Sequence, residues 1–160
     1  MSKIFITGFN GYLGSAICEK FNNEKIVKIG NKKKIYDKEE NILLEFPKKV
    51  NKEDICIHLA SISGNESEIN KKATYETNVI LTKKICDLGF KKIIFLSTSA
   101  VYGYSDKCFL ESDELNPTNY YIETKILGEE IVKKNKDNLI LRSAILMGPS
   151  PNTNWNLLIN

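Results

Sequence analysis

Short blocks of this chain are apolar at nearly every position instead of every second one, and few architectures accommodate them: residues 3–7 (KIFIT), 24–30 (EKIVKIG), 54–61 (DICIHLAS), 91–99 (KKIIFLSTS) and 138–146 (NLILRSAIL). Strands of this kind need cover on both faces, which a sheet obtains from helices above and below it. Between the blocks stand stretches with helical spacing. Residues 14–23 carry Ile17 and Phe21; residues 75–89 carry Val79, Leu81, Ile85 and Leu88 before a glycine stop; residues 119–135 carry Ile122, Ile126, Leu127 and Ile131. The alternation predicts an α/β fold, a doubly wound parallel sheet of Rossmann type in three α/β/α layers. A chain of 160 residues holds one domain with one real core. The lysine-rich stretch 32–53 is harder to assign, with room for a short strand at residues 41–46 (NILLEF).

Directly after the first apolar block, TGFNGYLG (7–14) sets Gly8, Gly11 and Gly14 three residues apart at the start of a helix. Bare backbone N–H groups and the positive end of a helix dipole attract an anion there, and a Cβ would hold it away. In a doubly wound sheet this is the place for a diphosphate. The turn comprises Gly8, Asn10, Gly11, Tyr12, Leu13 and Gly14. The spacing is not that of a P-loop, and Asn10 before Gly11 departs from G-x-G-x-x-G; what stands here is T-G-x-x-G-x-x-G.

Other features narrow the function class. A net charge of only +3 implies no nucleic-acid partner. The cysteines (Cys18, Cys56, Cys86, Cys108) are far apart and share the chain with a single histidine, His58, which predicts reduced thiols, no metal site and a cytoplasmic protein. The N-terminus faintly resembles a signal peptide, but glycines and polar residues interrupt its apolar core. No apolar run approaches the roughly 18 residues of a membrane span. His58, at the end of a strand, reads as a hydrogen-bonded core residue.

T-G-x-x-G-x-x-G resembles the fingerprint of the extended short-chain dehydrogenase/reductases, the NAD-dependent epimerases and dehydratases that modify nucleotide-sugars. Further stretches carry the likeness in the same order: DICIHLAS (54–61), FLSTSAVYG (95–103), ESDELNPTNYYIETKILGE (111–129) and LILRSAILMGP (139–149). The resemblance implies that Leu59, Ala60 and Ser61 lie beside a nicotinamide dinucleotide, that Asn78 helps organise the site, and that a Y-x-x-x-K pair serves catalysis. Two tyrosines compete for that role. Only Tyr121 has a lysine four residues on, so Tyr121 and Lys125 share a helix face. A phenol titrates at about 10, and a neighbouring ammonium together with a cationic nicotinamide favours the phenolate, fitting Tyr121 for acid/base work. By resemblance Lys125 also binds the nicotinamide ribose. Thr98, four residues before Tyr102, supplies the assisting hydroxyl, with Ser97 and Ser99 as neighbours able to replace it.

NAD binding usually shows a carboxylate at the end of the second strand. Gly30 and Asn31 stand there, followed by Lys32, Lys33 and Lys34, so Asn31 and Lys32 are expected at the adenosine ribose and NADP is favoured over NAD. The implied activity is that of an NAD(P)-dependent nucleotide-sugar epimerase, dehydratase or reductase. A noncatalytic dinucleotide-binding module and a reductase of non-sugar carbonyls are the alternatives. Residues 1–149 read as the dinucleotide-binding domain and 150–160 as the start of a substrate region otherwise missing. Trp155, Leu157 and Leu158 would leave an apolar end open to association, which leaves room for a homodimer. Ile145 and Met147 stand where many relatives carry an asparagine or aromatic residue, so the resemblance implies no particular sugar.

Overall fold

The computed structural model describes residues 2–21, 25–30, 42–43 and 47–146. Expectations for residues 31–34, for Met147 and for 150–160 lie outside them. The elements, in order, are β1 (Ile4–Thr7), α1 (Tyr12–Lys20), β2 (Ile26–Ile29), β3 (Ile42–Leu43), β4 (Ile55–His58), α2 (Asn65–Ile69), α3 (Lys71–Tyr75), a π-helical turn (Glu76–Ile80), α4 (Leu81–Asp87), β5 (Lys92–Thr98), a 3-10 turn (Ser99–Tyr102), α5 (Tyr120–Val132) and β6 (Leu139–Ser143).

The six strands among the described residues run parallel, as the apolar blocks predict, and their order is β3-β2-β1-β4-β5-β6. The order reverses direction between β1 and β4, which opens a crevice beyond their C-terminal ends. Thr7 pairs with His58 and His58 with Phe95, so β1 and β4 end at one level and β5 runs on past them to Thr98.

Successive residues of β1 explain the continuous apolarity. Phe5 joins Ile29, Cys56, Ile85, Phe90, Ile93, Phe95 and Val132 in a core shared with α4 and α5. Ile6 points the other way, into a smaller cluster with Phe9 and Ile26 against Ile17 and Cys18 of α1. Both faces of the sheet are therefore covered, and an alternating strand would have left a polar side chain under one helix layer.

The helix expected over 75–89 begins earlier. Asn70 caps α3, its side-chain oxygen accepting from Ala73 N at 3.3 Å, and α3, the π-helical turn and α4 follow one another up to Gly89, whose φ of +77° ends the helix. The helix expected over 14–23 begins at Tyr12 instead, with Gly11 as its N-cap. No helix among the described residues is long and apolar enough to cross a membrane.

Candidate functional site

The glycine turn closes the crevice from the β1 side, and its three glycines have different tasks. Gly8 adopts φ +70°, and a Cβ there would come within 2.7 Å of Ala60 N. Gly14, buried in the first turn of α1, would push a Cβ to 2.2 Å from Gly8 O and 2.6 Å from Phe9 Cα. These two are demanded by backbone packing, of strand end on strand end and of helix on turn. Gly11 differs: a Cβ would meet only Gly8 O, at 3.2 Å, and the residue is exposed. The room for an anion is therefore at Gly11 and not at all three positions. No side chain caps α1, and no carboxylate lies in its first turn. The positive end of that helix thus fits a diphosphate, with the Tyr12, Leu13 and Gly14 amides in its first turn.

Behind the turn runs a buried polar chain. Thr7 Oγ1 accepts from the N–H groups of Leu59 and Ala60, both at 3.2 Å, and lies 2.7 Å from His58 Nδ1. His58 Nε2 lies 2.9 Å from Thr82 Oγ1, which donates to Asn78 O at 2.7 Å. Because Thr82 spends its proton on that carbonyl, it accepts from Nε2–H, leaving Nδ1 to accept from Thr7. His58 is a neutral core residue, as expected from the sequence. Burial, with the nearby Lys125 charge adding to it, pulls its pKa down to about 3.

Asn78 sits in the π-helical turn and braces the segment after β4. Its Oδ1 accepts from Ile62 N (2.9 Å), and its Nδ2 donates to Ile62 O (3.0 Å) and Thr124 Oγ1 (2.9 Å). Thr124 in turn donates to Tyr121 O at 2.7 Å. Both amide protons and the amide oxygen are thus engaged by protein groups, and Asn78 joins the Ala60–Ser61–Ile62 segment to the helix of the candidate tyrosine.

That helix, α5, starts at Asn119, whose side chain accepts from Ile122 N. The two tyrosines at its start separate cleanly. The ring of Tyr120 lies under Lys71 of α3, 5.0 Å from ring centroid to Nζ. Tyr121 faces the segment after β4, where the Ser61 side chain is the polar group acting on its phenol. Burial raises the Tyr121 pKa above the ordinary phenol value, and the Ser61 bond pulls it back in part. Without a dinucleotide, then, the expected lowering of the phenol by Lys125 does not operate. Lys125 is 2% exposed. Its Nζ donates to Leu96 O at 2.6 Å and lies 4.0 Å from the centre of the Phe95 ring. Burial drives its pKa down to about 7, against the pull of Glu129.

Thr98 ends β5 and accepts from Ala100 N at 3.2 Å, capping the 3-10 turn. Ser97, its possible substitute, is buried and donates to Glu129 Oε1 at 2.5 Å. The sequence reading missed Glu129, Arg142, Thr7, Thr82 and Thr124. One more four-residue step along Y-I-E-T-K-I-L-G-E, from Lys125, lands on Glu129; no local pattern marks the others. Asn31 and Lys32 are outside the described residues.

A model of the NAD dependent epimerase/dehydratase family matches residues 4–156. UDP-glucose 4-epimerase of Halalkalibacterium halodurans is 32% identical over 148 residues, covering 80% of this chain and 44% of that protein. The UDP-glucose 4-epimerase of Lactobacillus helveticus is 30% identical over 151 residues, covering 81% and 46%. Among solved structures, UDP-glucuronic acid 4-epimerase from Bacillus cereus in complex with NAD superimposes with a TM-score of 0.72 at 23% identity, over 92% of this chain and 57% of that one. The chain thus spans about half the length of the relatives it matches.

Proposed function

This chain belongs to the NAD dependent epimerase/dehydratase family, and from that membership we propose that residues 1–149 bind a nicotinamide dinucleotide and act on a nucleotide-sugar as an epimerase, dehydratase or reductase. The observation that carries the reading is the uncapped, acid-free start of α1 at Gly11, set on the same crevice as the Tyr121–Ser61 contact. When bound, the nicotinamide supplies the hydride acceptor and donor.

The chain's own residues have separable tasks. The turn from Gly8 to Gly14 holds the diphosphate, and the segment Leu59–Ala60–Ser61 lines the other side of the crevice. Lys125 has three donors and spends one on Leu96 O, so two are free for ribose hydroxyls. Tyr121 Oη accepts the proton of the reacting sugar hydroxyl and returns it in the reverse direction. Tyr121, whose pKa burial raises, would become the better base beside a cationic nicotinamide. Thr98, at the end of β5, orients the reacting oxygen. Preference for NADP rests on Asn31 and Lys32 to Lys34, and residues 150–160 open the substrate region. We place the protein in the cytoplasm, with a homodimer as its assembly.

The test is turnover with UDP-sugars by this chain and by Tyr121→Phe, with dinucleotide affinity measured separately for NAD and NADP. Turnover in the parent that Tyr121→Phe loses by about 100-fold or more, at near-equal dinucleotide affinity, supports the assignment. Tight dinucleotide binding without turnover in either chain points to the noncatalytic module.

A further inference from the structure

Two carboxylates are buried among the described residues and neither is used by the proposed chemistry: Asp54, which accepts from the backbone N–H groups of Lys3 and Asn51 ahead of β4, and Glu129, which lies between α5 and the sheet. Glu129 is 3% exposed. Ser97 Oγ donates to its Oε1 at 2.5 Å, and Arg142 Nη2 donates to Oε2 at 2.7 Å, with Nε within 3.2 Å of both oxygens. Arg142 continues outward: its Nη1 donates to Tyr102 Oη at 2.6 Å and to Glu111 O at 3.0 Å, and the Tyr102 ring stacks on Phe109. Through one side chain, α5 is fastened to β5, to β6 and to the segment that follows the 3-10 turn.

The spacing of these ties is informative. Along α5, Tyr121, Lys125 and Glu129 lie at successive four-residue steps on one face. Along β5, Leu96, Ser97 and Thr98 are consecutive. Lys125 binds the strand through Leu96 O, Glu129 binds it through Ser97, and the residue left at the tip is Thr98. An incidental surface pair would have no reason to be buried or to share its carboxylate between two strands.

We propose that Glu129 is a positioning residue for the site: it locks the end of β5 onto α5, so fixing Thr98 relative to Tyr121, and it sets a buried carboxylate one helical turn from the Lys125 ammonium. This rests on the function proposed above but is tested without it. The groups facing Lys125 are Glu129 on its own helix, His58 from β4, the Phe95 ring from β5, and Arg142 of β6 behind Glu129, with Tyr121 one turn earlier on α5. His58 is neutral near pH 7, so Glu129 is the negative charge opposing the burial of Lys125.

A merely structural ion pair predicts lower melting temperature on mutation and nothing more. Positioning predicts a change in the titration of Lys125, read by NMR of 13C-labelled lysine side chains in the dinucleotide-free protein. In the parent chain the expected midpoint for Lys125 is near pH 7. In Glu129→Gln the midpoint moves down by roughly one unit or more. Arg142→Met keeps the carboxylate and removes its guanidinium, and there the midpoint moves up; this variant carries the test if Glu129→Gln does not fold. Lys125 titrating as in the parent, in whichever of these variants folds, overturns the proposal. Because no dinucleotide is present, that result leaves the dinucleotide-binding reading intact, and a failure to bind dinucleotide leaves the titration intact.

Discussion

His58 shows how a single side chain can look functional in a sequence and be structural for definite reasons. With its proton on Nε2 the ring accepts from Thr7 and donates to Thr82, and each of those hydroxyls is committed further along the chain. A second proton, on Nδ1, would face a hydroxyl oxygen that already accepts from Leu59 and Ala60. Its pKa falls from 6.5 to about 3 on folding. Between those values the unfolded chain carries a proton that the folded chain refuses, so stability is intact above pH 6.5 and declines as pH falls toward 3. His58→Asn keeps an acceptor for Thr7 and cannot titrate. We expect denaturant unfolding to show the variant less stable at pH 7, yet losing less than the parent between pH 6.5 and 4. Equal losses would show that His58 is not the group responsible. Tyr121 was legible in sequence because helix periodicity links it to Lys125. The Ser61 contact was not, because it joins residues sixty positions apart that only the strand order brings together.

At the scale of the element, the strands were readable because burial on both faces removes the polar positions that would blur them. Phe5 and Ile6 entering different clusters is that principle at work. The helical stretch from Asn65 to Tyr75 was hidden: its residues are mostly polar and exposed, and it is placed by contacts such as Glu68 accepting from Tyr120 N at 2.7 Å. The glycine turn was located correctly but read too uniformly. Its spacing revealed three absent side chains and could not say which absence serves packing and which serves a ligand. Alanine substitution separates the two. Gly14→Ala would force a Cβ against three backbone atoms and should cost about 3 kcal/mol or more. Gly11→Ala keeps an ordinary φ of −78° and meets one carbonyl oxygen at 3.2 Å, so a cost of roughly 1 kcal/mol is expected. Dinucleotide affinity should nevertheless fall at least about tenfold in Gly11→Ala, through obstruction of the α1 N-terminus. Chemical denaturation and equilibrium binding check the pair; a Gly11→Ala protein that binds as tightly as the parent would remove Gly11 from the ligand site.

For the whole molecule, the open question is whether a chain about half the length of its relatives holds its crevice in working order. The described residues give grounds to expect so. The six strands, both helix layers and the brace from Thr7 through His58, Thr82 and Asn78 to Tyr121 lie among them, and no buried side-chain polar atom there lacks a hydrogen-bond partner. A crevice formed in this way before ligand arrives should bind selectively to the folded state and raise its stability by mass action. At a dinucleotide concentration one hundred times Kd the gain is about 2.7 kcal/mol. For a domain of this size that corresponds to a rise in melting temperature of roughly 5 to 10 °C. Calorimetry with NAD and with NADP should show that rise, with the larger value at equal concentration naming the preferred cofactor. Tyr121→Phe should keep the rise, because the phenol acts on substrate, and Gly11→Ala should lose most of it. If neither dinucleotide moves the melting temperature at millimolar concentration while the parent chain unfolds cooperatively, the fold stands and its use as a dinucleotide site by this chain does not.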